Sequence, residues 1–81
     1  MDLNPDIQIQ VVWRRTELPS GGYVIKHHDG KEFWRNANRK FHREDGPAII
    51  EDSIPEWWLN GKPYSEEDWK QMLLLKPFWD K

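Results

Sequence analysis

The chain contains no cysteine. Disulfide staples and thiolate metal sites are therefore excluded. Long apolar runs are also missing, and no stretch approaches the ~20 apolar residues a membrane-spanning helix needs. Glycine is sparse, with five residues, and no phosphate-cradling glycine loop or G-x-S-x-G nucleophile signature occurs. The opening residues Met1 to Asp6 are acidic and polar. They lack the positive start and apolar run of a secretory leader, so the expected location is cytoplasmic.

What the chain does have is large rings. Six Trp, three Phe and two Tyr stand among 81 residues. That length suits a single domain, 1–81, which buries roughly two-thirds of its unfolded surface and is only marginally stable. Each aromatic side chain buries about 150–250 Å², so rings must supply most of the core. The net charge of −2 hides a pattern. Residues 11–43 carry eight Lys/Arg against three Asp/Glu, whereas residues 44–81 carry four against nine. The simplest expectation is that these two blocks pair within the fold. The other reading is that they mark two partner-facing surfaces.

Period-2 alternation over Ile7, Ile9, Val11 and Trp13 predicts a half-buried strand. Tyr23–His27, Glu32–Arg35, Ala48–Glu51 and Glu56–Leu59 read as four more. Asp29-Gly30 predicts a type I′ hairpin turn, and Asn60-Gly61 another, after which Lys62 to Tyr64 continues briefly. Ser53-Ile54-Pro55 reads as a turn, and Asn36 to Gly46 as a polar loop. Ser65 is the expected helix N-cap, followed by Glu66, Glu67 and Asp68 in the first turn, where the dipole favours acids. Trp69, Met72 and Leu73 give one apolar face, and Pro77 stops the helix near Leu75. The expected fold is α+β: an antiparallel β-meander of repeated hairpins, about five strands, capped by one C-terminal helix.

A shift of 24 residues aligns the chain with itself. Gly22 falls on Gly46, Ile25 on Ile49, Glu32 on Glu56, Phe33 on Trp57, Trp34 on Trp58 and Asn36 on Asn60. The hairpin repeats span about 22–45 and 46–64, with the helix over about 65–75. Because a lone hairpin cannot bury its apolar face, neighbouring copies must pair and the helix must cap the array. Trp34 and Trp58 are expected to form a core ladder. Phe33 and Trp57 then point to the opposite face, which the helix is expected to cover. If left open, that face is an aromatic binding patch.

The run His42-Arg43-Glu44-Asp45-Gly46-Pro47-Ala48, followed by Trp57-Trp58-Leu59-Asn60-Gly61-Lys62, resembles a short repeat of small proteins from phages and large DNA viruses. It is more distantly similar to MORN-type hairpin repeats. The resemblance covers about residues 22–69. HREDGPA is its more specific part; the aromatic pair followed by NGK is less so. The first copy departs from it, with Asn36-Ala37-Asn38 in the place of Asn60-Gly61-Lys62. The resemblance implies a hairpin fold and a phage-like source, and with it the host cytoplasm, but no activity.

His27, His28, Asp29 and His42 are the only candidate metal ligands. His27 and His28 point to opposite faces of a strand, so they do not converge on one ion. In the run from His42 to Asp45, four consecutive loop residues do not converge on one substrate either. That motif, with Gly46, Trp34, Trp58, Asn60 and Gly61, is expected to be structural. Asp45 would satisfy backbone N–H groups before the Gly46-Pro47 turn, and Arg43 would pair with a carboxylate of the neighbouring repeat. No enzyme and no cofactor are expected. The expected function is a non-catalytic protein-binding module, a phage-encoded inhibitor or modulator of a host protein. Phe33, Arg35, Arg39, Lys40 and Trp57 are its candidate contacts. The alternative is a single-strand nucleic-acid binder using Trp13-Arg14-Arg15, Trp34-Arg35, Arg39-Lys40 and Arg43. The overall acidity weighs against it. A membrane partner is not expected, and a sheet edge offers a route to a homodimer.

Overall fold

The computed structural model describes residues 12–79. A six-stranded antiparallel meander runs in sequence order: β1 (Trp13–Glu17), β2 (Tyr23–His27), β3 (Glu32–Arg35), β4 (Ile49–Glu51), β5 (Ile54–Leu59) and β6 (Lys62–Tyr64). Helix α1 (Glu66–Leu74) and a 3₁₀ turn (Lys76–Phe78) follow. This is the expected α+β meander with a C-terminal helix; the brief extension after Asn60-Gly61 is a full sixth strand. Of the first expected strand, Ile7 to Val11 lies outside the described residues, and β1 begins at Trp13.

The turns carry the instructive differences. Between β2 and β3 the loop is His28-Asp29-Gly30, closed by the Gly30 N–H on the His27 carbonyl at 3.0 Å. Only Gly30 has positive φ, at 98°. The expected type I′ turn at Asp29-Gly30 is therefore corrected to a three-residue loop whose last residue is left-handed. The true two-residue turns are Asp52-Ser53, with φ 52° and 65°, and Asn60-Gly61, with φ 51° and 85°. The reading of Ser53-Ile54-Pro55 as a turn is corrected accordingly, since Ile54 and Pro55 belong to β5. Asn36 organises a further tight turn. Its Oδ1 accepts from the N–H groups of Asn38 at 2.9 Å and Lys40 at 3.0 Å. Phe41 thereby returns beside Arg35 in an isolated bridge.

Loop length sets register, and register sets faces. In the first hairpin Ile25 lies opposite Phe33 and Val24 opposite Trp34. In the second, Ile49 lies opposite Glu56 instead of Trp57. The Ala48 N–H also bonds the Glu56 carbonyl at 2.9 Å, the doubled contact of a β-bulge. The shorter turn has slipped the second hairpin by one residue. Ile49 shares a face with Phe33, so Glu56 and Trp58 join that face and Trp57 turns to the other. The expected ladder of Trp34 with Trp58, and the shared face of Phe33 with Trp57, are both corrected by this slip.

Helix α1 starts as its sequence dictates. The Ser65 hydroxyl accepts from the Asp68 N–H at 3.1 Å, and three acids occupy the first turn. The helix packs on β5 and β6. Trp69, 6% exposed, lies 4.6 Å ring to ring from Trp57 and donates its indole N–H to the Arg43 carbonyl at 2.9 Å. The Trp79 indole closes the end on the Met72 carbonyl at 3.0 Å. Buried apolar residues among those described are Val24, Ala48, Ile49, Leu59 and Trp69. Gly22 marks one point where chain meets chain: a Cβ there would stand 2.2 Å from the Arg35 carbonyl oxygen.

Candidate protein-binding face

The helix lies on one side of the sheet, with Trp57, and over the β5–β6 end only. The opposite side carries a continuous row of rings. His27 meets Phe33 edge-on at 5.6 Å, Phe33 lies 6.5 Å from Phe41, and Phe41 lies 5.3 Å from Trp58. All four are half-buried, and among the described residues no element is laid over them. Exposed Trp13 and Ile54 extend the same face by register, at 50% and 63% of full exposure. Two guanidinium groups lie over rings of this side: Arg15 over Tyr23 and Arg35 over Phe41, each at 3.9 Å. Such stacks hold both partners in one orientation and shield ring carbon from water.

At one end of the row stands the turn Asn36 to Lys40. The Arg35 guanidinium donates to the Arg39 carbonyl at 2.8 Å, which ties the strand to its turn. Arg39 holds φ at 66°. The stem of Lys40 runs beside Gly61, where a Cβ would come within 3.3 Å of its Cδ. Arg35, Arg39 and Lys40 have no carboxylate within 4.0 Å among the described residues. The expected neutralisation of the basic middle by the acidic end is thus not made here. The pairs present are short-range, apart from Lys76 with Glu44 and the looser 3.9 Å approach of Arg43 to Glu32.

The HREDGPA motif forms a separate polar knot on the helix side. The Arg43 guanidinium covers the Trp34 ring at 3.8 Å, donates to Asp45 at 2.7 Å and reaches the Pro47 carbonyl at 3.2 Å. Gly46 leaves room for it, since a Cβ there would be 2.8 Å from the Arg43 Cζ. Arg43 was expected to pair with the neighbouring repeat and Asp45 with backbone N–H groups; instead the two bind each other. His42 Nδ1 accepts the Asn60 N–H at 3.0 Å, so its Nε2 carries the proton donated to Glu44 at 2.8 Å. The other Glu44 oxygen takes Lys76 at 2.6 Å. Burial pushes the Glu44 carboxyl up, but hydrogen bonds from Lys76 and His42 outweigh it and leave its pKa below the ordinary value. Asn36 and Asn60, equivalent in the repeat, join side chain to side chain at 3.1 Å. Trp34 and Trp58 each donate an indole N–H to the Glu two residues before, at 3.0 and 3.1 Å. An open cleft of about 590 Å³ lies between this knot and the Asn36 turn, with Arg35, Asn38 and Lys76 on its wall.

Of the residues singled out in the sequence as partner contacts, Phe33, Arg35, Arg39 and Lys40 come together on or beside the open face. Trp57 does not; it lies under α1. Phe41 was missed by sequence reading although it joins Phe33 to Trp58. Its signal was local: an aromatic just after a polar turn, positioned to cross back over Arg35. Among the described residues no cluster of three His, Asp or Glu side chains is placed to hold a metal ion, and no helix is long and apolar enough to cross a membrane. Comparison with known proteins finds no matching family model, no matching curated protein and no matching solved structure.

Proposed function

We propose that this protein is a non-catalytic protein-binding module whose contact surface is the open aromatic face. The observation that carries this reading is the side on which the helix packs. The capping helix takes Trp57 and leaves the row Phe33, Phe41 and Trp58, with the Arg35 stack, uncovered by any described element. Aromatic and arginine side chains are the ones most enriched at interface centres. The resemblance of HREDGPA to phage and large-DNA-virus repeats suggests the setting: an inhibitor or modulator of a host protein in the host cytoplasm. The HREDGPA side chains are engaged with one another, and this fits a structural role and a function without catalysis.

The alternative is single-stranded nucleic acid, and the arginine–aromatic pairs are the feature in its favour. They also weigh against it. A base that stacks on Phe41 or Tyr23 from the guanidinium side must first displace an arginine lying 3.9 Å from the ring. The test is retention from nuclease-treated lysate on the immobilised chain, with two folded variants as controls. Phe33→Ser alters the open face, and Lys26→Ser alters the other side of the sheet. A protein retained by the parent and by Lys26→Ser, and lost with Phe33→Ser, supports the reading. Equal retention by all three overturns it. Binding that disappears with nuclease moves the assignment to nucleic acid.

A further inference from the structure

We propose that the occupant of the open face is an extended, acidic segment of a partner protein, with its apolar side chains on Phe33, Phe41 and Trp58 and its carboxylates at Arg35, Arg39 and Lys40. This rests on the protein-binding reading and specifies the partner's chemistry. The first argument is charge. Arg15, Lys31, Arg43, Lys70 and Lys76 each have a carboxylate within 4.0 Å. Arg35, Arg39 and Lys40 have none among the described residues; Arg14, Lys26 and Lys62 have none either, but by register they lie on the other side of the sheet, so these three are the ones gathered at the open face. Three unneutralised cations in six consecutive residues, at the end of an apolar row, form an uncompensated positive corner.

The second argument is preorganisation. Arg35 is held by the Phe41 ring at 3.9 Å and by the Arg39 carbonyl at 2.8 Å. Its remaining N–H groups keep the planar fork that matches a carboxylate. Arg39 occupies a left-handed backbone position at φ 66°, which fixes the direction in which its side chain leaves the turn. The third argument is spacing. Successive rings lie 6.5 and 5.3 Å apart. Side chains on one face of an extended peptide repeat at about 6.6 Å, close to the wider of those intervals.

The experiment is a selection from a random library of displayed peptides, about 12 residues long, on the immobilised full chain. Parallel selections use Phe33→Ser and the double variant Arg39→Glu/Lys40→Glu. A dT20 oligonucleotide is titrated separately over a salt series. The expected result is enrichment of Asp/Glu beside apolar residues. Synthetic copies of those peptides should lose about tenfold in affinity for the double variant and all measurable affinity for Phe33→Ser. Enriched peptides without acidic bias, or acidic peptides that bind the double variant equally well, overturn this inference and leave the protein-binding reading standing. No enrichment over Phe33→Ser overturns both. Oligonucleotide binding that falls steeply with salt, in the absence of peptide enrichment, assigns the face to nucleic acid.

Discussion

Glu44 binds two parts of the chain directly through one carboxylate and a third through His42. His42 Nε2–H reaches it from its own loop, Lys76 reaches it from the 3₁₀ turn, and His42 in turn accepts the Asn60 N–H. Its folded pKa lies below the ordinary carboxylate value. A group lowered on folding stabilises the native state above its unfolded pKa, near 4.3 for Glu, and that contribution is lost as the pH falls through the lower folded value. Glu44→Gln should therefore melt below the parent at pH 7, and the gap should close as the pH drops below about 4. A thermal melt of both proteins across that range checks the direction. A gap that persists at pH 2–3 would mean that the lost hydrogen-bond geometry matters more than the charge.

At the scale of the element, the turn between β4 and β5 decides which side Trp58 faces. Asp52 and Ser53 both adopt the left-handed conformation, which L-residues enter at a cost of roughly 1–2 kcal/mol each. Asn-Gly is the pair best suited to such a turn. Replacing Asp52-Ser53 with Asn-Gly should stabilise the protein by about 1 kcal/mol without moving the register. Denaturant midpoints would measure the gain, and nuclear Overhauser contacts between Phe41 and Trp58 would report the register. The helix is less surprising. Ser65, the three acids after it and the spacing of Trp69 and Met72 all agree with one another, and the structure places each where the sequence expects it.

In the whole molecule, the helix side and the open side hold different kinds of tryptophan and phenylalanine. Trp57 is packed against Trp69 and fixes α1 to the sheet. Trp57→Ala should cost about 3–5 kcal/mol, the range for removing a large packed ring. In a domain of this size that is most of the margin for folding. Phe33→Ser should cost less: both rings are half-buried, but no described element packs over Phe33 as α1 packs over Trp57. Urea unfolding of the two variants separates these outcomes. Similar losses for both would show that the open face is as well packed as the helix side. The sheet's outer strands differ too. β6 carries Pro63, which has no N–H to offer a neighbouring strand, while β1 presents Arg14 and Arg15.

Strand and helix positions were legible in the sequence because they depend on local chemistry. Tyr23–His27 and Glu32–Arg35 are observed with the expected bounds, and Ser65 caps the helix as its side chain predicts. The repeat was legible as well, since Asn36–Asn60 and the two indole–glutamate bonds follow the 24-residue spacing. What only the tertiary structure decided was the side of the sheet on which each ring lies. A side chain's face depends on register, register on turn length, and the two hairpins close with turns of different length, three residues against two. Period-2 reasoning carries no memory of a one-residue slip, so it placed Trp57 on one face with Phe33 and Trp58 on the other with Trp34, whereas the register puts Phe33 and Trp58 on one face. The gathering of Arg35, Phe41 and Trp58 beside the Asn36 turn is likewise a product of strand pairing, and pairing is fixed only when the whole sheet closes.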